Sequence, residues 1–164
     1  MDTDHRNQNH QTAIDGATTT QPTATSGGWP VLIIDDDDSI LQITRLVLSR
    51  VTVNGRPVKL VFATSSEQAR ALCRNMEFAV IVVDVVMETD RAGLDFVTWL
   101  RAQPFGKRPQ VVIRTGQPGS IPEREVLCNA KINDYWSKTE LSPRRLREQI
   151  TRLLEAYSAP EADH

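Results

Sequence analysis

The sequence predicts an α/β fold: a doubly wound parallel sheet of five strands with helices on both faces. Five short runs carry that expectation: Val31-Leu32-Ile33-Ile34, Lys59-Leu60-Val61-Phe62, Ala79-Val80-Ile81-Val82-Val83, Val111-Val112-Ile113 and the weaker Asp134-Tyr135-Trp136. Near-continuous apolar runs imply burial on both faces, the mark of a parallel sheet. Segments of helical period separate the runs, and right-handed crossovers then place helices on both sides of the sheet.

Each helix carries its own signals. Ile40, Ile43 and Val47 form the predicted apolar stripe of the first helix, and Asp37 and Asp38 cap its start and favour its dipole. The second opens with Ser65 three residues before Gln68 and turns Ala69, Leu72, Cys73 and Met76 inward. A further helix is signalled by Ser120, Pro122 and Glu123, and the last by Ser142 followed by Pro143, with Leu146, Ile150, Leu153 and Tyr157 as its stripe.

Residues 1–28 have almost no large apolar side chains and are expected to be a disordered extension, while 158–164 reads as a flexible tail. The folded domain is therefore expected to span 29–157. With 19 basic and 21 acidic residues and a net charge of -2, the chain has no field that would draw nucleic acid or anionic membrane, and direct nucleic-acid binding is not expected. No apolar run reaches the roughly 20 residues that span a bilayer and no signal peptide opens the chain, so a cytoplasmic location is expected. Cys73 and Cys128 lack paired metal spacing and read as buried free thiols. His5, His10 and His164 fall in the predicted tails, which removes Ser-His or Cys-His catalysis and His-ligated metal from the core.

Ligands of such sheets bind at the carboxyl ends of the strands. The first strand ends in Asp35-Asp36-Asp37-Asp38 and the third in Asp84. If those strands are neighbours, their carboxylates repel one another in one crevice unless a cation joins them, and oxygen-only ligands suit Mg2+. Thr115 ends the fourth strand and Lys138 follows the fifth. A hydroxyl and an ammonium at that end of the sheet suit phosphoryl oxygens, with Asp84 as the nucleophile of aspartyl-phosphate chemistry.

Four motifs at these strand ends, Ile33-Ile34-Asp35-Asp36, Val83-Asp84-Val85-Val86-Met87, Ile113-Arg114-Thr115-Gly116 and Tyr135-Trp136-Ser137-Lys138, resemble the signature positions of CheY-like response regulator receiver domains. The resemblance covers roughly residues 30–157 and implies a flavodoxin/CheY-like three-layer sandwich with strand order 2-1-3-4-5. It implies Asp84 as phosphoacceptor and Asp36 as a direct Mg2+ ligand beside Asp84. Asp35 would act through water, and the backbone carbonyl of Val86 would be a further metal oxygen. It also implies Thr115 as switch hydroxyl, Lys138 as the phosphate-pairing cation and Tyr135 as the aromatic switch, although Tyr135 reads equally as a packing residue. The implied partners are a sensor histidine kinase or histidine phosphotransfer protein and a downstream protein target or output domain, with a phosphorylation-dependent dimer among the assemblies. The readout surface would comprise the fourth helix, fifth strand and fifth helix. The stretch from Arg114 to Val126 and on to Leu141 is similar to a narrower set of receivers that often front multidomain regulators, and no output domain is expected within this chain.

Three positions depart from that pattern. Glu88 stands where a proline is usual, and Gly93 comes one residue late, which predicts a longer, more charged loop after Asp84. Thr139 replaces the usual cis-proline after Lys138, so the preceding bond is expected to strain or to go trans. Two rival readings follow from the residues. One is a pseudo-receiver that binds protein without phosphorylation; the other is a haloacid-dehalogenase-like phosphohydrolase with Asp35 as nucleophile, which leaves Asp84 without a role.

Overall fold

A computed structural model of the chain describes residues 27–116 and 131–159. In chain order the elements are β1 (Trp29–Ile34), α1 (Asp38–Leu48), β2 (Thr52–Val53), β3 (Arg56–Ala63), α2 (Ser66–Asn75), β4 (Val80–Asp84), α3 (Ala92–Ala102), a 3-10 turn (Pro104–Gly106), β5 (Gln110–Thr115), β6 (Asp134–Ser137) and α4 (Pro143–Ser158). The sheet runs β2-β3-β1-β4-β5-β6. Apart from the two-residue β2, which pairs antiparallel to β3, every strand pairing is parallel, so the fold is the expected doubly wound sandwich. The expectations for residues 1–26, Ser120, Pro122, Glu123, Cys128 and the tail from 160 lie outside the described residues.

β2 is the strand that was not expected. Asn54 and Gly55 both adopt positive φ, 50° and 73°. That is the two-residue turn whose twist matches a hairpin, and Asn-Gly is its strongest sequence signal. The turn folds Thr52-Val53 back on the start of β3, where Trp29 Nε1 donates to Val53 O at 2.9 Å.

The sheet separates two cores. Leu32 and Ile34 of β1 face α2 and α3, joining Cys73, Phe96 and Leu100, whereas Val31 and Ile33 face α1 and α4, joining Leu48, Leu146, Ile150 and Leu154. The two-sided burial read from the apolar runs therefore holds. Ser65 and Ser142 cap α2 and α4 as expected, accepting from the N–H groups of Gln68 and Arg145.

The stripe predicted for α1 is wrong by about one position. Leu41, Thr44 and Leu48 are its buried residues, while Ile43 is 54% exposed. Apolar periodicity passed over Thr44 because it is polar. Its hydroxyl is satisfied on the buried side, donating to Ile40 O at 2.7 Å and accepting from Arg114 Nη1 at 3.3 Å. In α2, Ala69 and Cys73 are buried as expected, but Met76 caps the helix from an exposed position.

Candidate functional site

Parallel pairing brings the carboxyl ends of β1, β4, β5 and β6 to one edge of the sheet. Asp35 follows the last residue of β1, and its N–H donates to Ala63 O at 3.1 Å, prolonging the ladder by one residue. That keeps its side chain fully buried, and a buried carboxylate needs partners. It has them: Oδ1 accepts from the Asp37 N–H at 3.0 Å, and Oδ2 receives Lys138 Nζ at 2.8 Å and Arg114 Nη2 at 3.1 Å.

Asp36 is exposed. Asp37 is the N-cap of α1, accepting from the Ser39 N–H at 2.9 Å, with Asp38 in the first turn, so these two acids take the capping role expected of them. Asp84 ends β4 and is 5% exposed. Asp35, Asp36 and Asp84 each offer an oxygen such that the three atoms lie within 4.8 Å of one another. Burial raises the Asp84 carboxyl above the ordinary carboxylate value; the negative charge of Asp35 adds to the rise, Lys138 partly offsets it, and Asp36 adds a smaller push upward.

Lys138 closes the group from β6. Its backbone N–H donates to Thr115 O at 2.8 Å, and its side chain, 18% exposed, reaches back so that Nζ lies 3.1 Å from Asp84 Oδ2. Thr115 is buried at the end of β5, in register with Ser137. Tyr135 is partly buried and packs against the core on the α2/α3 side. Val86 follows Asp84 by two residues in the loop above the site, its side chain 39% exposed.

The loop after Asp84 is anchored at both ends. Glu88 Oε1 accepts from the Ser66 N–H at 2.7 Å and from its hydroxyl at 2.9 Å, so the residue that replaces proline ties the loop to the start of α2. At the far end Gly93 N–H donates to Val85 O at 3.0 Å, and a Cβ on Gly93 would lie 2.0 Å from Asp84 O. Only glycine allows that approach. No cis peptide bond occurs among the described residues, so the bond before Thr139 is trans.

Arg114 is the site residue that the sequence reading quoted but gave no role. It is 4% exposed on β5 and reaches the site from the strand beside Asp84. A basic residue directly after Val111-Val112-Ile113 in a buried strand was the signal, because an arginine there must find an anion.

Three oxygen ligands with an ammonium beside them form a site suited to a hard cation and a phosphoryl group. No helix among the described residues is long and apolar enough to cross a membrane. Residues 31–151 match the family described as the response regulator receiver domain. The chain is similar to the 3'3'-cGAMP-specific phosphodiesterase 2 of Vibrio cholerae, 41% identical over 130 residues that cover 79% of this chain and 25% of that protein. The chain thus corresponds to about a quarter of that relative's length. Among solved structures, the chemotaxis protein CheY4 of Vibrio cholerae superposes with a TM-score of 0.64 at 26% identity, covering 78% of this chain and all of that one. The signal receiver domain of an HD domain-containing protein from Pseudomonas fluorescens Pf-5 shares the fold with a TM-score of 0.69 at 21% identity, covering 79% and 97% of the two chains.

Proposed function

The chain belongs to the response regulator receiver domain family, and from that premise we propose that it accepts a phosphoryl group on Asp84 and passes the signal through its surface. The observation that carries the reading is Lys138 Nζ 3.1 Å from Asp84 Oδ2, with Asp36 and Asp35 grouped on the same carboxylate. In the transfer, an Asp84 oxygen attacks phosphorus and the bond from phosphorus to the donor's leaving group breaks. Phosphoryl transfer asks the protein for positioning and charge neutralisation more than for covalent chemistry. Lys138 supplies a cation that can follow a phosphoryl oxygen, and Thr115 a hydroxyl at the adjacent strand end. The three carboxylates fit Mg2+; Asp36 and Asp84 would hold it directly, with the Val86 carbonyl as a further oxygen and Asp35 through water. When bound, Mg2+ supplies charge neutralisation at the phosphoryl oxygens.

The donor would be a sensor histidine kinase or histidine phosphotransfer protein. The recipient would be a protein target or output domain, and the phosphodiesterase relative suggests that receivers of this kind can control cyclic-dinucleotide hydrolysis. Thr115 and Tyr135 are the proposed switch pair. Family membership leaves the dehalogenase-like reading of Asp35 without support.

The test is an amide NMR titration with Mg2+ and beryllofluoride, a phosphoryl mimic. Shifts that begin at Asp84 and spread through Thr115, Tyr135 and α4 support the switch. A response confined to the loop after Asp84 would favour a pseudo-receiver.

A further inference from the structure

Resting on that phosphoacceptor reading, we propose that Arg114 is a positioning residue of the site: it forms a charge-neutral pair with Asp35, which keeps Asp35 out of direct cation ligation and frees Lys138 to move. Arg114, Asp35 and Thr44 are all at most 4% exposed. The guanidinium spans them, with Nη2 on Asp35 Oδ2 at 3.1 Å and Nη1 on Thr44 Oγ1 at 3.3 Å. Thr44 is itself fixed by its bond to Ile40 O, so Arg114 is braced against the middle of α1.

Asp35 has two cationic partners of different character. Lys138 is 18% exposed on a flexible stem and touches both Asp35 and Asp84. When it follows a phosphoryl oxygen, it weakens its hold on Asp35. A buried carboxylate that loses its partner is costly. Arg114 prevents that loss, because its planar fork is held at both arms, on Asp35 and on Thr44. Three carboxylates with two cations leave one net negative charge at the site, with Asp36 and Asp84 as the acids not matched by Arg114. The site is thus set to bind a divalent ion weakly and reversibly.

The experiment is calorimetric titration of Mg2+ into the full chain and its variants, paired with thermal melts with and without Mg2+. Arg114→Met keeps the length of the side chain and removes its charge. It is expected to bind Mg2+ about tenfold more tightly, since a neighbouring unit charge is worth on the order of one pK unit or more. Its melting temperature should also rise more on adding Mg2+ than that of the parent. The double variant Asp35→Asn/Arg114→Met removes the pair as a unit and is expected to lose that gain, binding Mg2+ no more tightly than the parent, because the gain comes from the Asp35 charge that Arg114 had neutralised. An Arg114→Met protein that titrates like the parent would overturn the inference, and so would a tenfold gain that persists in the double variant. If the single variant does not fold, the double variant decides, because neither charge is left buried alone. A parent that binds no Mg2+, or one in which Asp36→Ala changes nothing, would instead overturn the phosphoacceptor reading beneath it.

Discussion

Gly93→Ala offers a quantitative test of how the loop holds Asp84. The added methyl would sit 2.0 Å from the Asp84 carbonyl oxygen, 2.8 Å from its carbon and 2.9 Å from Val85 Cα, all of them backbone atoms. Non-bonded contacts of about 3.5 Å require a shift of roughly 1 Å or more. α3 cannot supply it cheaply, because Phe96, Val97 and Leu100 are at most 1% exposed in the core beneath. Overpacking of this kind costs about 1–3 kcal/mol and sometimes more, against a gain of at most ~1 kcal/mol from replacing glycine in a helix. We expect a net loss of about 2 kcal/mol, a fall in melting temperature of roughly 6–10 °C for a domain of this size. Urea unfolding measures it directly. Gly116→Ala is the control: among the described residues its new methyl would meet only Lys138 Cδ at 3.7 Å, an ordinary contact. That variant should stay within about 0.5 kcal/mol of the parent. Because the displaced atoms belong to Asp84, Gly93→Ala should also slow phosphorylation by about tenfold or more, as small misplacements of reacting groups do. Equal stability of the two alanine variants would refute the steric reasoning.

Three further expectations follow. Lys138→Met removes the ammonium from Asp84 and Asp35; phosphorylation by acetyl phosphate, followed by mass, should slow by about a hundredfold, the scale of losing one charge-stabilising group, while circular dichroism shows a folded domain. Burial pushes the Cys73 thiol up to about 12 from 9.0, so Cys73 should resist thiol reagents at pH 8 in the native chain, as peptide mapping would show. The unfolded chain releases that proton first, so this contribution to stability is complete below pH 9.0 and falls by about 1.4 kcal/mol per pH unit as pH rises toward 12, a slope that urea melts of the parent and Cys73→Ala would compare. Burial works against the charge of Glu88, yet the hydrogen bonds from its own N–H and from Ser66, with the charge of Arg70, hold its carboxyl below the ordinary 4.5. Its tie to α2 is therefore full above pH 4.5 and lost as the pH falls below it, and Glu88→Ala should raise hydrogen exchange at the Ser66 amide without unfolding the domain.

The fold was legible wherever one physical signal dominated. Val31 to Ile34 and Val80 to Val83 read as buried parallel strands because both faces of the sheet are covered, and Ser65 and Ser142 read as caps because their chemistry is local. Asn54-Gly55 was equally readable but lay between longer segments, and its hairpin adds a strand too short for periodicity to register. The face of α1 was misjudged because a threonine with a satisfied hydroxyl behaves as a core residue, which no count of apolar residues reveals. The site had the same character. Asp35, Asp36, Asp84 and Lys138 lie at or just past strand ends, so topology alone gathers them. Arg114 was missed because its role depends on which carboxylate lies across the sheet from it, a relation set by register and not by spacing along the chain. The grip of Glu88 on Ser66 is likewise a contact between two loops that no local pattern announces.

The central claim concerns one oxygen on one side chain, and intact mass tests it most directly. The full chain, incubated with acetyl phosphate and Mg2+, is predicted to gain a single phosphoryl mass that is alkali-labile and maps to the peptide containing Asp84. Asp84→Asn should gain none. The same mass persisting in Asp84→Asn, or mapping to Asp35, would contradict the account.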